Sequence, residues 1–324
     1  MPETLSSPIA AISVVICTRN RPQDVALCLP TILACDYPNF EVVLVDQSTN
    51  DDTQAQIQAL ETGFSRLVYH RAATVGKSLA LDLGIALAQN ETLAFTDDDC
   101  EVSPDWLRQI ANAFAADDRV DILFGPVLPS PALNGLGDIC VPSWAFTEAR
   151  DLFPGEVCGM GANMALRRRA LARLPGSRLF DPILGPGCPF PAGEEGDFVY
   201  RLRRAGAVAA LRPALTLYHR AFRTREHWVK VMEGYGLGDA AFHLKHLRCG
   251  DLWAARAICR TLTYYGPRSL VHLLRGRPGS LAFLRGYCRG LALSRRYAID
   301  RSQRLYRLPD AARPERGLLL KSCR

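Results

Sequence analysis

The sequence has no run of about 18 consecutive apolar residues, the least that a membrane-spanning helix needs. Its first residues, from Met1 to Glu3, also lack the basic-then-apolar order of a signal peptide. Neither disorder nor a collagen-like repeat fits its composition, because 48% of the 324 residues are hydrophobic and 22% are charged. We therefore expect a folded, cytoplasmic protein.

The glycines of two common nucleotide-binding motifs are missing. Gly76 begins a Gly-Lys-Ser tripeptide, but the position five residues earlier holds Arg71, where a Walker A loop requires glycine. No GxGxxG follows the first hydrophobic segment, where residues 18–20 read Thr-Arg-Asn. These two absences argue against a P-loop ATPase and against a dinucleotide-binding domain.

Paired cysteine motifs are absent as well. The 11 cysteines are odd in number and scattered from Cys17 to Cys323, with no CxxC spacing. We interpret them as buried thiols in a reducing compartment rather than as a disulfide framework or a structural zinc site.

Charge is divided unevenly along the chain. The overall formal charge is +6. Residues 1–247 carry 22 Lys and Arg against 29 Asp and Glu, whereas residues 248–324 carry 17 against 4. An acidic body is thus followed by a strongly basic tail, which predicts an anionic partner.

Short β-branched runs alternate with helical patterns over the first hundred residues. This alternation is typical of strand-helix-strand units on a parallel sheet and predicts an α/β fold. The predicted strands are 12–17, 41–45, 67–69 and 92–95, and the predicted helices are 22–33, 51–60 and 78–88.

Regular patterns are weaker further along the chain. Residues 120–166 predict loops with one or two strands, and residues 195–204 predict a helix. Residues 207–217 predict strand structure broken at Pro213, and 224–247 a long helix interrupted by glycines 234, 236 and 238.

Carboxylates follow two of the predicted strands, namely Asp46 and the run Asp97 to Asp99. Open α/β sheets bind ligands at the carboxyl ends of their strands. Three adjacent negative charges repel one another unless a cation is near, and hard oxygen ligands favour Mg²⁺ or Mn²⁺. A metal site is the main interpretation, and a solvated turn with a helix cap is the alternative.

Five motifs in order resemble the family 2 inverting glycosyltransferases, and the likeness covers about residues 10–220. They are Thr18-Arg19-Asn20-Arg21-Pro22, Val45-Asp46-Gln47-Ser48, Phe95-Thr96-Asp97-Asp98-Asp99-Cys100 with Pro104-Asp105-Trp106-Leu107, Gly161-Ala162-Asn163, and Gly193-Glu194-Glu195-Gly196-Asp197-Phe198. The resemblance implies a GT-A fold, a mostly parallel sheet flanked by helices, over residues 1–222. Its nucleotide half would be about 10–100 and its acceptor half about 101–222. Residues 223–324 would form a basic helical C-terminal extension.

The resemblance also implies the donor site. The nucleotide pocket would be lined by Thr18, Arg19 and Asn20, and Asp46 would bond the base or ribose. Asp97 and Asp99 occupy the DxD positions that bind Mn²⁺ or Mg²⁺, and Asp98 would lie beside the ribose or donor sugar. His219 matches a further metal ligand of some members, although it could equally be an ordinary histidine at a strand end.

The general base of the family corresponds to Glu195, which stands where the family has Asp. Glu194 and Asp197 are rival candidates, and Glu195 and Asp197 could instead be first-turn charges that favour the helix dipole. The family often has an Arg-Asn pair facing the nucleotide, but here Leu81 and Asp82 stand instead. Lys77 is our candidate for the missing positive charge.

These implications predict a metal-dependent transferase acting on a nucleotide-diphosphate sugar and a hydroxyl acceptor, such as a lipid-linked or cell-surface glycan precursor. A nucleotidyltransferase and a catalytically silent scaffold are the alternatives. Arg-rich and Leu-rich helical patterns in the tail predict either docking at the cytoplasmic face of an anionic membrane or a helical cap. Nucleic acid is not an expected partner.

Overall fold

The computed structural model describes residues 10–60, 64–153, 155–156, 159–275 and 278–308. The strands are β1 Ile12–Thr18, β2 Phe40–Asp46, β3 Leu67–Arg71, β4 Thr92–Phe95, β5 Cys100–Val102, β6 Ile122–Phe124, β7 Val127–Pro129, β8 Ile139–Cys140, β9 Arg150–Asp151, β10 Met164–Arg167, β11 Ala209–Leu211, β12 Leu217–His219, β13 Arg223–Thr224, β14 Ile299–Asp300 and β15 Leu305–Tyr306. The helices are α1 Pro22–Leu33, α2 Asp52–Gln58, α3 Lys77–Leu87, α4 Trp106–Ala116, α5 Glu194–Arg204, α6 Arg225–Arg248, α7 Leu252–Leu274 and α8 Gly279–Leu293.

The chain forms two compact units, and the first comprises residues 1–72, 81–174 and 202–223. Its main sheet has the strand order β3-β2-β1-β4-β10-β6-β11-β9. Strands β3, β2, β1 and β4 are parallel, whereas β10 runs antiparallel to both of its neighbours. This confirms the α/β fold with a mostly parallel sheet.

The hydrophobic core of this unit contains the buried residues of the sheet and of the helices packed on it. Residues Ile12 to Ile16 of β1 are buried, as strands covered on both faces should be. Helix α1 packs its Leu29 and Ile32 into the same cluster as Trp106 of α4. The register pairs Thr18 with Asp46, so the carboxyl ends of β1 and β2 lie side by side.

A small second sheet has the order β5-β12-β7. Its register pairs His219 at the end of β12 with Cys100 at the start of β5. Since Cys100 directly follows the acidic run after β4, this pairing brings a histidine from far along the chain to the predicted ligand edge.

The prediction of only one or two strands over residues 120–166 was wrong. This stretch contains β6 to β10, each of two to four residues. Strands this short are below the window in which hydrophobic periodicity can be read. The predicted break near Pro213 is confirmed, because it separates β11 from β12.

The second unit comprises residues 73–80, 175–201 and 224–324. Its helix α6 is continuous from Arg225 to Arg248, so the predicted interruption was wrong. The glycines serve close packing instead, because a Cβ at Gly236 would overlap the carbonyl oxygen of Phe283 on α8. Reciprocally, a Cβ at Gly286 would overlap the carbonyl oxygen of Glu233.

Two further expectations concern the whole chain. Within the part of the chain that is described, no helix has the length and apolarity to cross a bilayer. Among the described cysteines, Cys28, Cys35 and Cys100 are buried, but Cys259 and Cys288 are exposed. The expectation of buried thiols was therefore wrong for the last two.

Candidate active site

The loops that follow β1 and β2 are joined by hydrogen bonds. The Asn20 amide donates to Ser48 Oγ at 2.8 Å, and the Thr49 amide donates to Asn20 Oδ1 at 2.9 Å. Asn20 has φ of 56°, a left-handed conformation that asparagine tolerates better than most residues. Thr18 is buried beneath this junction and Arg19 is exposed beside it. The three residues predicted to line the nucleotide pocket thus share one edge of the sheet, and their role stays a prediction.

Asp46 is fully buried at the end of β2, and both of its carboxylate oxygens have donors. Tyr69 Oη donates to Oδ2 at 2.8 Å, and the Ser48 amide donates to Oδ1 at 2.8 Å. Burial, and then the hydrogen bond to Asp46, raise the pKa of Tyr69, so the phenol remains a donor. This carboxylate is therefore held in one orientation.

The acidic run after β4 is partly neutralised by an arginine. Arg21 places Nη1 at 2.5 Å from Asp98 Oδ1 and Nη2 at 2.6 Å from Asp99 Oδ2. Thr18 Oγ1 also donates to Asp98 at 2.7 Å. Adjacent carboxylates repel one another unless a cation is near. Arg21 supplies part of that positive charge for Asp98 and Asp99. Arg21 belongs to the motif after β1, yet its contribution was missed because nothing in sequence links it to residues 98 and 99.

The Asp98 carboxyl is unusual in its ionisation. Burial raises its pKa, Arg21 opposes that effect, and the neighbouring Asp99 adds to it, so that the pKa stands at about 7. Asp97 differs from both neighbours because its side chain is only partly buried.

His219 is buried and turns one ring nitrogen toward Asp99. Its Nε2 lies 3.4 Å from Asp99 Oδ1, and its Nδ1 lies 3.0 Å from the carbonyl oxygen of Ala221. A carbonyl can only accept, so Nδ1 carries a proton and Nε2 is the ring nitrogen that faces Asp99. Metal-binding histidines are commonly oriented in this way by a second hydrogen bond.

The ligand atoms of Asp99, Cys100 and His219 all lie within 4.8 Å of one another. Burial, and then the charges of Asp97 and Asp99, raise the pKa of the Cys100 thiol well above its usual range, which disfavours the thiolate that soft metals need. A carboxylate and an imidazole remain, a donor set that Mn²⁺ accepts. Asp97 does not join this group of mutually close atoms.

In the second unit, the first turn of α5 carries the three carboxylates proposed for the base. Glu194 is buried, with Lys77 Nζ 3.7 Å from its Oε1. Burial, and then the charge of Glu195, raise the pKa of Glu194 well above its ordinary value, against the effect of Lys77. Lys77, predicted to replace a cation facing the nucleotide, is thus also a partner of Glu194. Glu195 itself is only partly buried.

Asp197 lies in a buried ionic cluster instead of at a surface. Its Oδ1 is 2.7 Å from Lys245 Nζ and 2.8 Å from His246 Nε2, and its Oδ2 is 2.9 Å from Arg201 Nε. Burial alone would raise its pKa, but Lys245, Arg201 and His246 hold it well below the usual range. Lys245 also pairs with buried Asp181 at 2.6 Å. Such a carboxylate is saturated with donors.

Asp239 on α6 is a further carboxylate of this unit that sequence reasoning missed. Burial, and then the charge of Glu195, raise its pKa to about 7. Lys245, His246 and Asp239 were missed for the same reason: they lie more than 40 positions after Asp197, on a helix whose burial pattern its sequence does not reveal.

Comparisons with known proteins agree on one family. The model of glycosyl transferase family 2 matches residues 13–174. The succinoglycan biosynthesis protein ExoM of Rhizobium meliloti is 29% identical over 213 residues, 62% of this chain and 64% of that protein. The beta-monoglucosyldiacylglycerol synthase of Trichormus variabilis is 30% identical over 108 residues, 32% of this chain and 23% of that protein. The matches span less than two thirds of each of these relatives.

A solved structure has the same fold. The mannosyltransferase PcManGT of Pyrobaculum calidifontis, in complex with GDP-Man and Mn²⁺, superposes with a TM-score of 0.61 over 87% of both chains at 17% sequence identity. The family match favours the glycosyltransferase interpretation over the scaffold and nucleotidyltransferase alternatives. The chain belongs to glycosyl transferase family 2 and has the GT-A fold.

Proposed function

We propose that this protein is a metal-dependent, inverting glycosyltransferase that moves a sugar from a nucleoside diphosphate to an acceptor hydroxyl. The observation that carries the proposal is the pairing of Asp99 Oδ1 with the Nε2 of a histidine whose Nδ1 is fixed by a carbonyl. Together with membership of the family, this pair at the carboxyl edge of the sheet supports a donor site with a divalent ion.

On the donor side, Asp97, Asp99 and His219 would hold Mn²⁺ or Mg²⁺. The bound ion would stabilise the negative charge of the departing diphosphate. Arg21 orients the Asp99 carboxylate, because its guanidinium occupies Oδ2 and leaves Oδ1 directed at His219. Asp46 would accept a hydrogen bond from the base or ribose, and Asp98 would lie beside the ribose or donor sugar.

On the acceptor side, Glu195 is the residue we assign as general base. An acceptor hydroxyl attacks the anomeric carbon far faster when a carboxylate takes its proton in the same step. Glu194 is buried with a pKa raised well above normal, which favours its protonated form. Asp197 is saturated by Lys245, His246 and Arg201. Of the three carboxylates, Glu195 is the one that is only partly buried, which gives an acceptor access to it.

For the acceptor we propose a lipid-linked or cell-surface glycan precursor, met at the cytoplasmic face of a membrane. The names of two relatives support this class, since one concerns succinoglycan biosynthesis and the other a glucosyldiacylglycerol synthase. The basic C-terminal extension supports it independently, because anionic lipid attracts such charge.

The test is release of nucleoside diphosphate from a panel of sugar nucleotides, with and without Mn²⁺. We expect one donor to be turned over only with the ion. Asp99→Asn should lower that rate at least about 100-fold, since charge stabilisation of a leaving group is a large term in such reactions. Asp36→Asn, at an exposed aspartate of the same unit, is the matched control. Turnover without any divalent ion, or an unchanged rate in Asp99→Asn, would contradict the proposal.

A further inference from the structure

The C-terminal helices are devoid of acidic residues over a long stretch. Between Asp251 and Asp300 the sequence has no Asp or Glu, yet it has nine arginines. They stand at positions 256, 260, 268, 275, 277, 285, 289, 295 and 296. Arg289 is paired with Glu233 of α6, but no acidic residue within this stretch balances the other arginines.

The inner face of α7 is committed to packing. Ile258 and Tyr265 contact the cluster formed by Ala240 of α6 with Phe283 and Tyr287 of α8. The Tyr265 ring stacks on Phe283 with centroids 4.1 Å apart. One side of this helix is therefore buried within the C-terminal extension itself.

The outer face of α7 carries large apolar side chains in solvent. Leu252, Leu270 and Leu274 are 75%, 64% and 81% exposed, and Val271 is 45% exposed. Leu252 and Leu270 are 18 residues apart, which is five helical turns, so they lie on the same side. Leu274 follows one turn later. These four residues are called the outer leucine face, although one of them is a valine.

Basic and aromatic side chains accompany the outer leucine face. Arg256 and Arg260 are exposed one and two turns after Leu252. Tyr264 is 49% exposed, and the Arg268 guanidinium lies 3.8 Å from its ring centroid. Leucines for the hydrocarbon boundary, with arginines and a tyrosine for the headgroup level, are the composition of helices that lie in a membrane interface.

We propose that the outer leucine face of α7 docks the protein onto a bilayer that contains anionic lipid. The proposal rests on the proposed function in that it names the surface through which the enzyme would reach a lipid-linked acceptor. A second copy of this chain fits less well, because a symmetric contact would bring the same arginines against each other. Nucleic acid fits less well too, because its phosphates offer nothing to four exposed aliphatic side chains.

Co-sedimentation of the full chain with vesicles tests this directly. The vesicles are phosphatidylcholine alone and an equal mixture of phosphatidylcholine with phosphatidylglycerol. We expect binding to the mixed vesicles that weakens with salt, and little binding to phosphatidylcholine. Each basic residue near an anionic leaflet strengthens binding about fivefold. Arg256→Gln with Arg260→Gln should therefore weaken it at least about tenfold, whereas the exposed pair Arg108→Gln with Arg119→Gln should not.

A second double variant tests the contribution of the apolar side chains. Leu270→Glu with Leu274→Glu should weaken binding to the mixed vesicles at least about tenfold, because it puts two charges at the hydrocarbon boundary. Leu27→Glu with Leu136→Glu is the matched control, since these leucines are 47% and 51% exposed in the first unit. Melting curves of all variants verify folding.

Three outcomes would overturn the proposal. They are unchanged vesicle binding in the α7 variants, equal binding to neutral vesicles, and a change from dimer to monomer in Leu270→Glu with Leu274→Glu without loss of vesicle binding. Sugar-nucleotide turnover measured without vesicles separates the two proposals. Intact turnover with no vesicle binding refutes only the docking surface, and vesicle binding without turnover refutes only the enzyme.

Discussion

At the scale of single residues, this site depends on how each polar atom is occupied. Asp99 divides its two oxygens between Arg21 and His219, and His219 divides its two nitrogens between a carbonyl and Asp99. Asp197 is a carboxylate of the same helical turn as Glu195, but three cationic or hydrogen-bond-donating groups occupy both of its oxygens. Residue type alone therefore does not separate a reactive carboxylate from a structural one.

The base assignment leads to a prediction at Glu195. Glu195→Gln should retain donor binding and lower sugar transfer at least about 100-fold, because the amide cannot accept the acceptor's proton. Donor binding is measured by titration calorimetry and transfer by product formation. Glu195→Asp, which restores the family's usual residue, is the control and should recover much of the rate. Full transfer by Glu195→Gln would assign the base to Glu194.

The buried ionic cluster leads to a prediction at Lys245. Lys245→Met leaves Asp181 and Asp197 buried without their shared cation, which should destabilise the fold by about 3–5 kcal/mol. Denaturant unfolding measures this free energy. Lys230→Met, at an exposed lysine of the same helix, should change it by less than about 0.5 kcal/mol. A small effect at Lys245 would show that the cluster is not a principal support of α5.

At the scale of elements, the sequence predicted the first hundred residues well. Strands β1, β2 and β4 and helices α1 and α3 lie within a few residues of their predicted bounds, because hydrophobic runs and helical spacing of apolar residues define them. The short strands β6 to β10 could not be predicted, since pairing with distant partners creates them. His219 reaches Asp99 only through the pairing of β12 with β5, which the local sequence does not predict. The resemblance to the family suggested His219 as a metal ligand but not this pairing.

The α6 glycines show why a local pattern misled. Gly236 was interpreted as a helix breaker, but the helix is continuous and its neighbour α8 fills the space where a side chain would be. Glycine weakens an isolated helix by about 1 kcal/mol, so only the tertiary contact explains its presence. No single-sequence propensity contains that contact.

This packing gives a paired prediction. Gly236→Ala should destabilise the protein by about 1–3 kcal/mol, because its Cβ would overlap backbone of α8. Gly266→Ala on α7 meets no atom within 4 Å and should be neutral or stabilising by up to about 1 kcal/mol. Thermal unfolding of the two variants compares them. Equal effects would mean that the helices tolerate separation at this point.

At the scale of the whole molecule, acidic and basic residues are segregated along the chain. The net charge of +6 combines a body rich in carboxylates with a tail rich in arginine. In our proposals, the body would supply the carboxylates for a metal and a base, and the tail a surface for anionic lipid. The overall composition does not show this division, which becomes visible only when the charges are counted along the chain.

Stability should also depend on pH through His243. Burial lowers its pKa from 6.5 to about 3, and Tyr287 Oη lies 2.8 Å from its Nδ1. The unfolded chain therefore takes up this proton first, and the stability that neutral His243 provides is complete above pH 6.5 and declines as the pH falls toward 3. The expected decline is about 1 kcal/mol per pH unit.

Other groups titrate in the same pH range, so the contribution of His243 is measured as a difference between the wild type and a variant. Melting temperatures of the wild type and of His243→Gln are compared at several pH values from about 7 to about 4. The advantage of the wild type should shrink as the pH falls. A constant difference across this range would contradict the assignment of a neutral, buried His243.

The central claim is a donor site built on a divalent ion between Asp99 and His219. Its most direct test is a crystal structure with Mn²⁺ and the nucleoside diphosphate of the donor, with data collected at the manganese absorption edge. We predict an anomalous peak beside Asp99 Oδ1 and His219 Nε2, in contact with the diphosphate. A bound diphosphate without any ion at that position, held by Arg21 or other protein groups alone, would contradict the claim.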